Sequence, residues 1–187
     1  MGAGYLISPL EFLISTLFDL YVLAIMLRTL LAWVRADFYN PVSQFLVKIT
    51  NPPLLPLRRL IPPLGRIDSA AIVLMLLVQM AAVALILLLR GGAFSPWTLL
   101  VVSIAELVSL LFNVFVFSII IQAILSWVNP GAYNPVTALL HALNEPVLRP
   151  ARRLLPPIGG LDLSPLLALI ALQVLKMLVL PLFRLLL

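Results

Sequence analysis

Hydrophobic residues form four long, nearly uninterrupted stretches along the chain, separated by shorter segments rich in proline and polar residues. A helix needs about 20 mostly apolar residues to cross a bilayer. Transmembrane strands are excluded, because their apolar positions would alternate instead of running continuously. The pattern therefore predicts four membrane-spanning helices, at about residues 9–33, 69–89, 96–128 and 164–181.

Three of the predicted spans start with a Ser-Pro pair. In such a pair the serine hydroxyl can cap the helix, and the proline fits a first helical position that needs no hydrogen-bond donor. The pairs are Ser8-Pro9, Ser95-Pro96 and Ser164-Pro165. We therefore expect these three helices to begin at those residues.

Between the two spans of each half, apolar residues recur with the spacing of one helix face. The faces consist of Val42, Phe45, Leu46 and Ile49 in the first half, and of Val136, Leu139, Leu140 and Leu143 in the second. Asn40 and Asn134 are the predicted caps, and Pro52 and Pro146 are expected to end each helix before a second short piece. We expect amphipathic helices within about 41–61 and 135–155, at the membrane interface, with their apolar faces in the acyl chains.

The chain repeats itself at an offset of 94 residues. Residues 33–68 and 127–162 are identical at 17 of 36 aligned positions. The motifs Tyr39-Asn40-Pro41-Val42 and Arg58-Arg59-Leu60 return as Tyr133-Asn134-Pro135-Val136 and Arg152-Arg153-Leu154. Residues 1–93 and 94–187 are thus two units, each crossing twice, so both copies have the same orientation and predict a pseudo-twofold axis along the membrane normal. The predicted fold is an all-α membrane protein with four transmembrane helices in two parallel tandem repeats.

Charged residues are scarce and lie mostly between the spans. Only 10% of residues are charged and 63% are hydrophobic, whereas a soluble domain has about 25% charged residues, so a soluble globular protein is excluded. The net charge is +5, and the positive-inside rule places both long basic segments in the cytoplasm and both termini outside. Anionic lipid headgroups are therefore a nearer partner than nucleic acid.

Five arginines form a predicted basic surface that binds anionic lipid or a partner protein, although the same charges can serve only to set the topology. They are Arg58, Arg59, Arg149, Arg152 and Arg153.

The composition also excludes several classes of site. The chain has no cysteine and a single histidine, His141, which excludes thiolate metal sites and multi-histidine centres. The sequence has no activated nucleophile, phosphate-binding loop or paired catalytic carboxylates. We therefore predict no catalytic, cofactor-binding or metal-binding residues, and no enzymatic activity.

Each predicted span carries a polar residue near its middle, where burial in hydrocarbon is costly without a partner. These residues, with a lysine one helical turn beyond the last of them, form a candidate mid-membrane cluster: Asp19, Gln79, Asn113, Gln173 and Lys176. We expect Lys176 to pair with Asp19, and we place Glu106 at a solvated outer helix end. The cluster is interpreted either as a hydrated site for a cation or as hydrogen bonding between helices.

The sequence resembles the YggT family of bacterial and plastid membrane proteins. The resemblance is carried by residues 33–41 and 127–135, by Asn51-Pro52 and Glu145-Pro146 as turns, by the two Arg pairs, and by residues 156–165. The first copy departs from this pattern at Arg66 and Ala71, where the second has Gly160 and Pro165.

The resemblance implies a multipass protein of the bacterial inner membrane that supports osmotic or salt-stress tolerance and ion homeostasis, as a homo-oligomer or a modulator of a transporter. It alternatively implies a scaffold that assembles or recruits another membrane complex, as in cytochrome cofactor assembly or cell division. It implies no catalytic residue and no cofactor.

Overall fold

The computed structural model describes residues 3–65, 67–93, 95–128, 134–155 and 162–187, with side chains from residue 8 onward. Six helices occupy these ranges: α1 Ala3–Trp33, α2 Pro41–Leu60, α3 Ser69–Leu89, α4 Pro96–Val128, α5 Pro135–Leu154 and α6 Ser164–Arg184. Four of them, α1 from Ser8, α3, α4 and α6, are long and apolar enough to cross a membrane. The chain is therefore a membrane protein, and the described part is all-helical, as predicted.

Two of the three predicted Ser-Pro starts are confirmed, at Pro96 for α4 and at Ser164 for α6, but among the described residues only α4 has the serine cap. Ser95 caps α4, because its hydroxyl accepts a hydrogen bond from the Thr98 amide at 3.0 Å. Pro9 instead lies inside α1. A proline is tolerated within a membrane-spanning helix because neighbouring groups can satisfy the backbone carbonyl that the proline leaves without a donor. Ser164 is itself the first residue of α6, and its amide donates to Asp162 at 2.9 Å.

The expectation that Pro52 and Pro146 end their helices is wrong, and neither marks a turn. Each lies inside a continuous helix, α2 or α5. Burial on the far side of the prolines holds these helices together: Leu54 in α2 and Leu148 in α5 are 0% and 1% exposed. The proline at position 53 leaves the Ile49 carbonyl without its helical donor, and the Tyr21 hydroxyl of α1 approaches this oxygen at 3.5 Å.

The predicted apolar faces of α2 and α5 pack only in part against the protein's own spans, because Val42, Phe45 and Val136 are exposed. In the first repeat, Leu46 and Leu54 join a core with Ile25 of α1 and Leu74 of α3. In the second, Leu148 packs with residues of α4 and α6, including Ile119 and Ala168. Each of these two helices is therefore part of a three-helix unit with the two spans of its own repeat.

The four spans pack in an open arrangement. Helix α1 packs against α3, α3 against α4, and α4 against α6. A pseudo-twofold axis relating the repeats would pair the α3–α4 contact with an equivalent contact between α6 and α1. Over the described ranges α6 does not touch α1, so the expected pseudo-twofold is not reproduced by the helix neighbours.

Candidate functional site

Residues of three helices meet at mid-membrane depth. Gln79 of α3 is 5% exposed, and its amide nitrogen donates a hydrogen bond to the Glu106 carboxylate of α4. The Asp19 carboxyl group of α1 lies close enough to Glu106 for their negative charges to repel each other. We call Asp19, Gln79 and Glu106 the acid site.

Glu106 lies further inside its helix than the expected helix end, although its side chain is exposed. Gln79 lies ten residues before the end of α3, and Glu106 lies ten residues after the start of α4. Because the two helices are antiparallel neighbours joined by a short turn, equal distances from that turn place the two side chains at one depth. Counting residues from this turn could therefore have placed Glu106 beside Gln79 from the sequence alone.

A second polar pair lies about two turns further along α4, since Asn113 follows Glu106 by seven residues in the same helix. The Lys176 ammonium group of α6 donates a hydrogen bond to the Asn113 side-chain oxygen at 2.7 Å. The expected pairing of Lys176 with Asp19 is therefore wrong, since α1 and α6 are not neighbours. Gln173 lies exposed on α6 and makes no side-chain hydrogen bond to the described residues.

The predicted cluster is thus not one site. Its members are divided between the acid site and the Asn113–Lys176 pair, which lies about two helical turns further along α4, and Gln173 belongs to neither. Within the described ranges, no ion pair involves Asp19, Glu106 or Lys176. The two carboxyl groups of the acid site therefore have no basic partner there.

Two arginines of the predicted basic surface are held by acidic residues in equivalent ways. Arg58 forms an ion pair with Asp68, just before α3, and Arg152 pairs with Asp162, just before α6, at 3.3 Å. Arg152 also pairs with Glu145 at 3.0 Å. Each arginine ties an interfacial helix to the start of the next span, a role that the sequence did not indicate.

Desolvation opposes ionisation of Asp162, but hydrogen bonds from Ser164 and Arg152 prevail and hold the pKa of its carboxyl below the ordinary value.

The other three arginines of this surface have no acidic partner among the described residues. Arg59, Arg149 and Arg153 are exposed and form no ion pair there. The basic surface that remains available is therefore smaller than predicted and consists of these three residues.

The opposite end of the bundle carries one ion pair. The Arg90 guanidinium, after α3, binds the two Glu11 carboxylate oxygens of α1 at 2.8 and 3.0 Å. The hydrogen bond to Glu11, with the attraction of its charge, raises the pKa of Arg90. The contact links α1 to the turn between the two repeats.

The two repeats differ where their first span meets their interfacial helix. In the first repeat, Arg28 donates to the Thr50 hydroxyl at 2.6 Å. In the second, the equivalent residues are neutral: Asn144, 0% exposed, donates to Gln122 at 2.8 Å, and Gln122 also contacts the His141 ring at 2.9 Å. The first repeat therefore places a cation where the second places an amide.

No group of three metal-ligating side chains occurs in the part of the chain that the structure describes. Some predicted features lie outside that part: Arg66, Tyr133 and residues 156–161 of the proline- and glycine-containing motif.

Comparison with known proteins gives several similar chains. An uncharacterized protein of Pseudomonas aeruginosa is 51% identical over 170 residues, which are 90% of this chain and 86% of that protein. An uncharacterized protein encoded 3′ of proC in Vibrio alginolyticus is 44% identical over 89% of this chain and 90% of its own length. The uncharacterized protein YggT of Escherichia coli is 39% identical over 91% of this chain and 88% of its own.

No solved structure matches the chain significantly. The CCB3/YggT family model matches twice, over residues 7–89 and 101–183. The two matches begin 94 residues apart, at 7 and 101, and end 94 residues apart, at 89 and 183, which is the offset of the internal repeat. Together the two matches cover most of the chain, which therefore belongs to the CCB3/YggT family.

Proposed function

We propose that the protein supports ion homeostasis under osmotic or salt stress, and that the acid site binds the cation or proton on which this role depends. The observation that carries the proposal is the pair of carboxyl groups, Asp19 and Glu106, without a basic partner in the described ranges. A carboxylate at this depth is costly unless a proton or cation neutralises it. The Gln79 amide fixes Glu106 in place.

The proposal includes an oligomer or a transporter partner. Asp19 is exposed on the surface of α1, where lipid would be an unfavourable neighbour for a carboxyl group. The spans are also poorly buried within one chain, and α6 is the least buried of them. A second copy or a transporter packed over α1 would shield Asp19 and enclose the acid site.

The proposed location is the bacterial inner membrane, with α2 and α5 on the cytoplasmic side and both termini on the periplasmic side. The positive-inside rule supports this orientation, because Arg59, Arg149 and Arg153 all lie at the end of the bundle formed by α2 and α5.

The test combines ion flux and growth. Asp19→Asn and Glu106→Gln remove the charges and keep the shapes, and we expect both to abolish cation or proton flux in proteoliposomes and salt tolerance in a strain lacking the wild-type protein. Asp37→Asn is the matched control, because Asp37 is exposed outside the spans and accepts only the Tyr39 amide, a role that asparagine can keep. Unchanged flux and tolerance in the folded acid-site variants would exclude the proposal.

A second candidate function is a membrane scaffold for another complex. It is favoured by Arg59, Arg149 and Arg153 of α2 and α5, which are exposed and form no ion pair within the described ranges. We expect the triple substitution of these residues by glutamine to abolish co-purification of a partner complex without affecting membrane insertion. Asp19→Asn should leave that co-purification intact, which separates the scaffold from the ion-binding role.

A further inference from the structure

A cavity between α1 and α2 is lined by three arginines. It has a volume of about 350 Å³, which lies within the roughly 300–1,000 Å³ of ordinary ligand pockets. Arg28, Arg35 and Arg58 line it together with Ser43. We call these four residues and the space between them the arginine pocket.

The charge of the pocket is only partly neutralised. Arg58 is paired with Asp68, and Arg28 uses one nitrogen to bind the neutral Thr50 hydroxyl. Arg28 still experiences repulsion from Arg58, with Asp68 as an attractive charge. Arg35 forms no ion pair within the described ranges. The pocket therefore keeps an excess of positive charge and free guanidinium donors.

A buried hydroxyl in the pocket has no partner. Ser43 is 8% exposed, and its Oγ makes no hydrogen bond within the described part of the chain. Buried polar groups are almost always hydrogen-bonded. Ser43 is also the third residue of α2, so the positive end of the helix dipole lies on the same side of the cavity.

The backbone at Arg35 adds an independent observation. Arg35 follows α1 with a φ of 56°, and the Ala36 amide donates to the Leu31 carbonyl at 2.9 Å. This is the left-handed closing position of a helix, which favours glycine. An arginine here is locally unfavourable, and its side chain lines the pocket.

The second repeat lacks this charge pattern. The positions equivalent to Arg28, Arg35 and Ser43 are Gln122, Asn129 and Thr137, and only Arg58 has an arginine counterpart, Arg152. The pocket is therefore particular to the first repeat, and topology-setting charge alone does not account for it.

We propose that the arginine pocket binds a phosphate group, in the headgroup of an anionic phospholipid or on a free phosphate-bearing solute. Guanidinium groups bind phosphate through paired, charge-assisted hydrogen bonds. Ser43 supplies a further donor. The position of Arg28 within the last two turns of α1 puts the site at the depth of lipid headgroups.

The test uses the purified full chain in mild detergent, with phosphatidylglycerol and inorganic phosphate as probes and zwitterionic phosphatidylethanolamine for comparison. Bound lipid is counted by native mass spectrometry, and the rise in unfolding temperature is followed for both probes. We expect saturable binding that Arg28→Gln and Arg35→Gly each weaken about tenfold. Selective binding of phosphatidylglycerol identifies a headgroup, and binding of phosphate alone identifies a solute.

The variants are chosen to keep the fold. Arg28→Gln introduces the residue of the second repeat, and Arg35→Gly should be at least as stable as the parent, because glycine suits the backbone there. Lys48→Gln and Arg184→Gln are matched controls, because each removes one exposed positive charge that does not line the pocket, and they should leave binding unchanged. The proposal is overturned if neither probe binds saturably, if the pocket variants bind as the parent does, or if the controls lose as much affinity.

Discussion

Lys176 of α6 donates a hydrogen bond to the side-chain oxygen of Asn113 of α4, at a distance of 2.7 Å. The pair joins the last span to its neighbour in the middle of the membrane. Replacing Asn113 with leucine leaves the lysine without its acceptor, and we expect a loss of about 1 kcal/mol in the free energy of unfolding. Circular dichroism during unfolding in mild detergent measures this loss of free energy.

Asn113→Asp is the matched variant for this contact. It keeps an oxygen acceptor at the same place and adds a charge opposite to that of Lys176, so the stability should be retained or raised. If Asn113→Leu unfolds as the parent does, the contact contributes nothing to stability.

Gln79 and Gln173 occupy equivalent positions in the two repeats but differ in surroundings. Gln79 is buried against Glu106, whereas Gln173 is exposed on α6. We expect Gln79→Leu to destabilise the protein by about 1–2 kcal/mol, because it removes the buried donor to the Glu106 carboxylate. Gln173→Leu should change stability by less than about 0.5 kcal/mol, and equal effects at the two positions would contradict the packing described.

Leu54 and Leu55 are adjacent residues of α2 with opposite environments, at 0% and 50% exposed. We expect Leu54→Ala to cost about 2–5 kcal/mol, because it empties space in a close-packed core, and Leu55→Ala to cost much less. Leu148→Ala in α5 should resemble Leu54→Ala. Denaturant titration of the three variants measures the differences, and a small effect at Leu54 would show that α2 is not held by this burial.

The hydrogen bonds that Asp162 accepts from Ser164, together with its ion pair with Arg152, make stability depend on pH. A carboxyl whose pKa is lowered in the folded state contributes stability above its unfolded pKa of about 3.9. That contribution is lost as the pH falls through the lower pKa of the folded state. We expect Asp162→Asn to reduce the fall in unfolding temperature between about pH 5 and pH 2.5.

Asp37→Asn serves as the control for this pH titration, since Asp37 belongs to no ion pair in the described ranges. A pH profile for Asp162→Asn that matches the parent's would show that the Asp162 carboxyl does not carry the effect.

The absence of cysteine allows a direct test of orientation. Leu60→Cys lies at the exposed end of α2, and Gly92→Cys lies in the turn between α3 and α4, at the other end of the bundle. In intact bacterial cells with a permeable outer membrane, we expect an impermeant maleimide to label Gly92→Cys but to label Leu60→Cys only after lysis. The reverse result would place α2 and α5 in the periplasm.

The spans were predictable because a continuous apolar segment of this length can satisfy its own backbone hydrogen bonds in a bilayer only as an α-helix. The bounds of α3 and α4 agree with the sequence to the residue. The continuity of α2 and α5 was not predictable from local rules, because proline propensity favours a break. It is overridden by tertiary burial of Leu54 and Leu148, which depends on α1, α3, α4 and α6.

The partners of the polar residues were harder to predict than their depth. Repeat symmetry suggested that Asp19, Gln79, Asn113 and Gln173 are equivalent in pairs, but symmetry does not say which helices touch. Lys176 therefore bonds to Asn113 on its own repeat rather than to Asp19. Likewise, the Arg pairs were visible as repeated charge, whereas the carboxylates that hold Arg58 and Arg152 lie ten residues further along the chain.

The order in which the spans pack has a consequence for biosynthesis. Helix α3 packs against α1, α4 against α3, and α6 against α4, so every span that leaves the ribosome meets a neighbour that has already been inserted. No early span has to wait in the lipid for a distant C-terminal partner, and contacts between neighbours in sequence favour rapid folding. A nascent chain arrested after α3 should therefore already have assembled its first three helices.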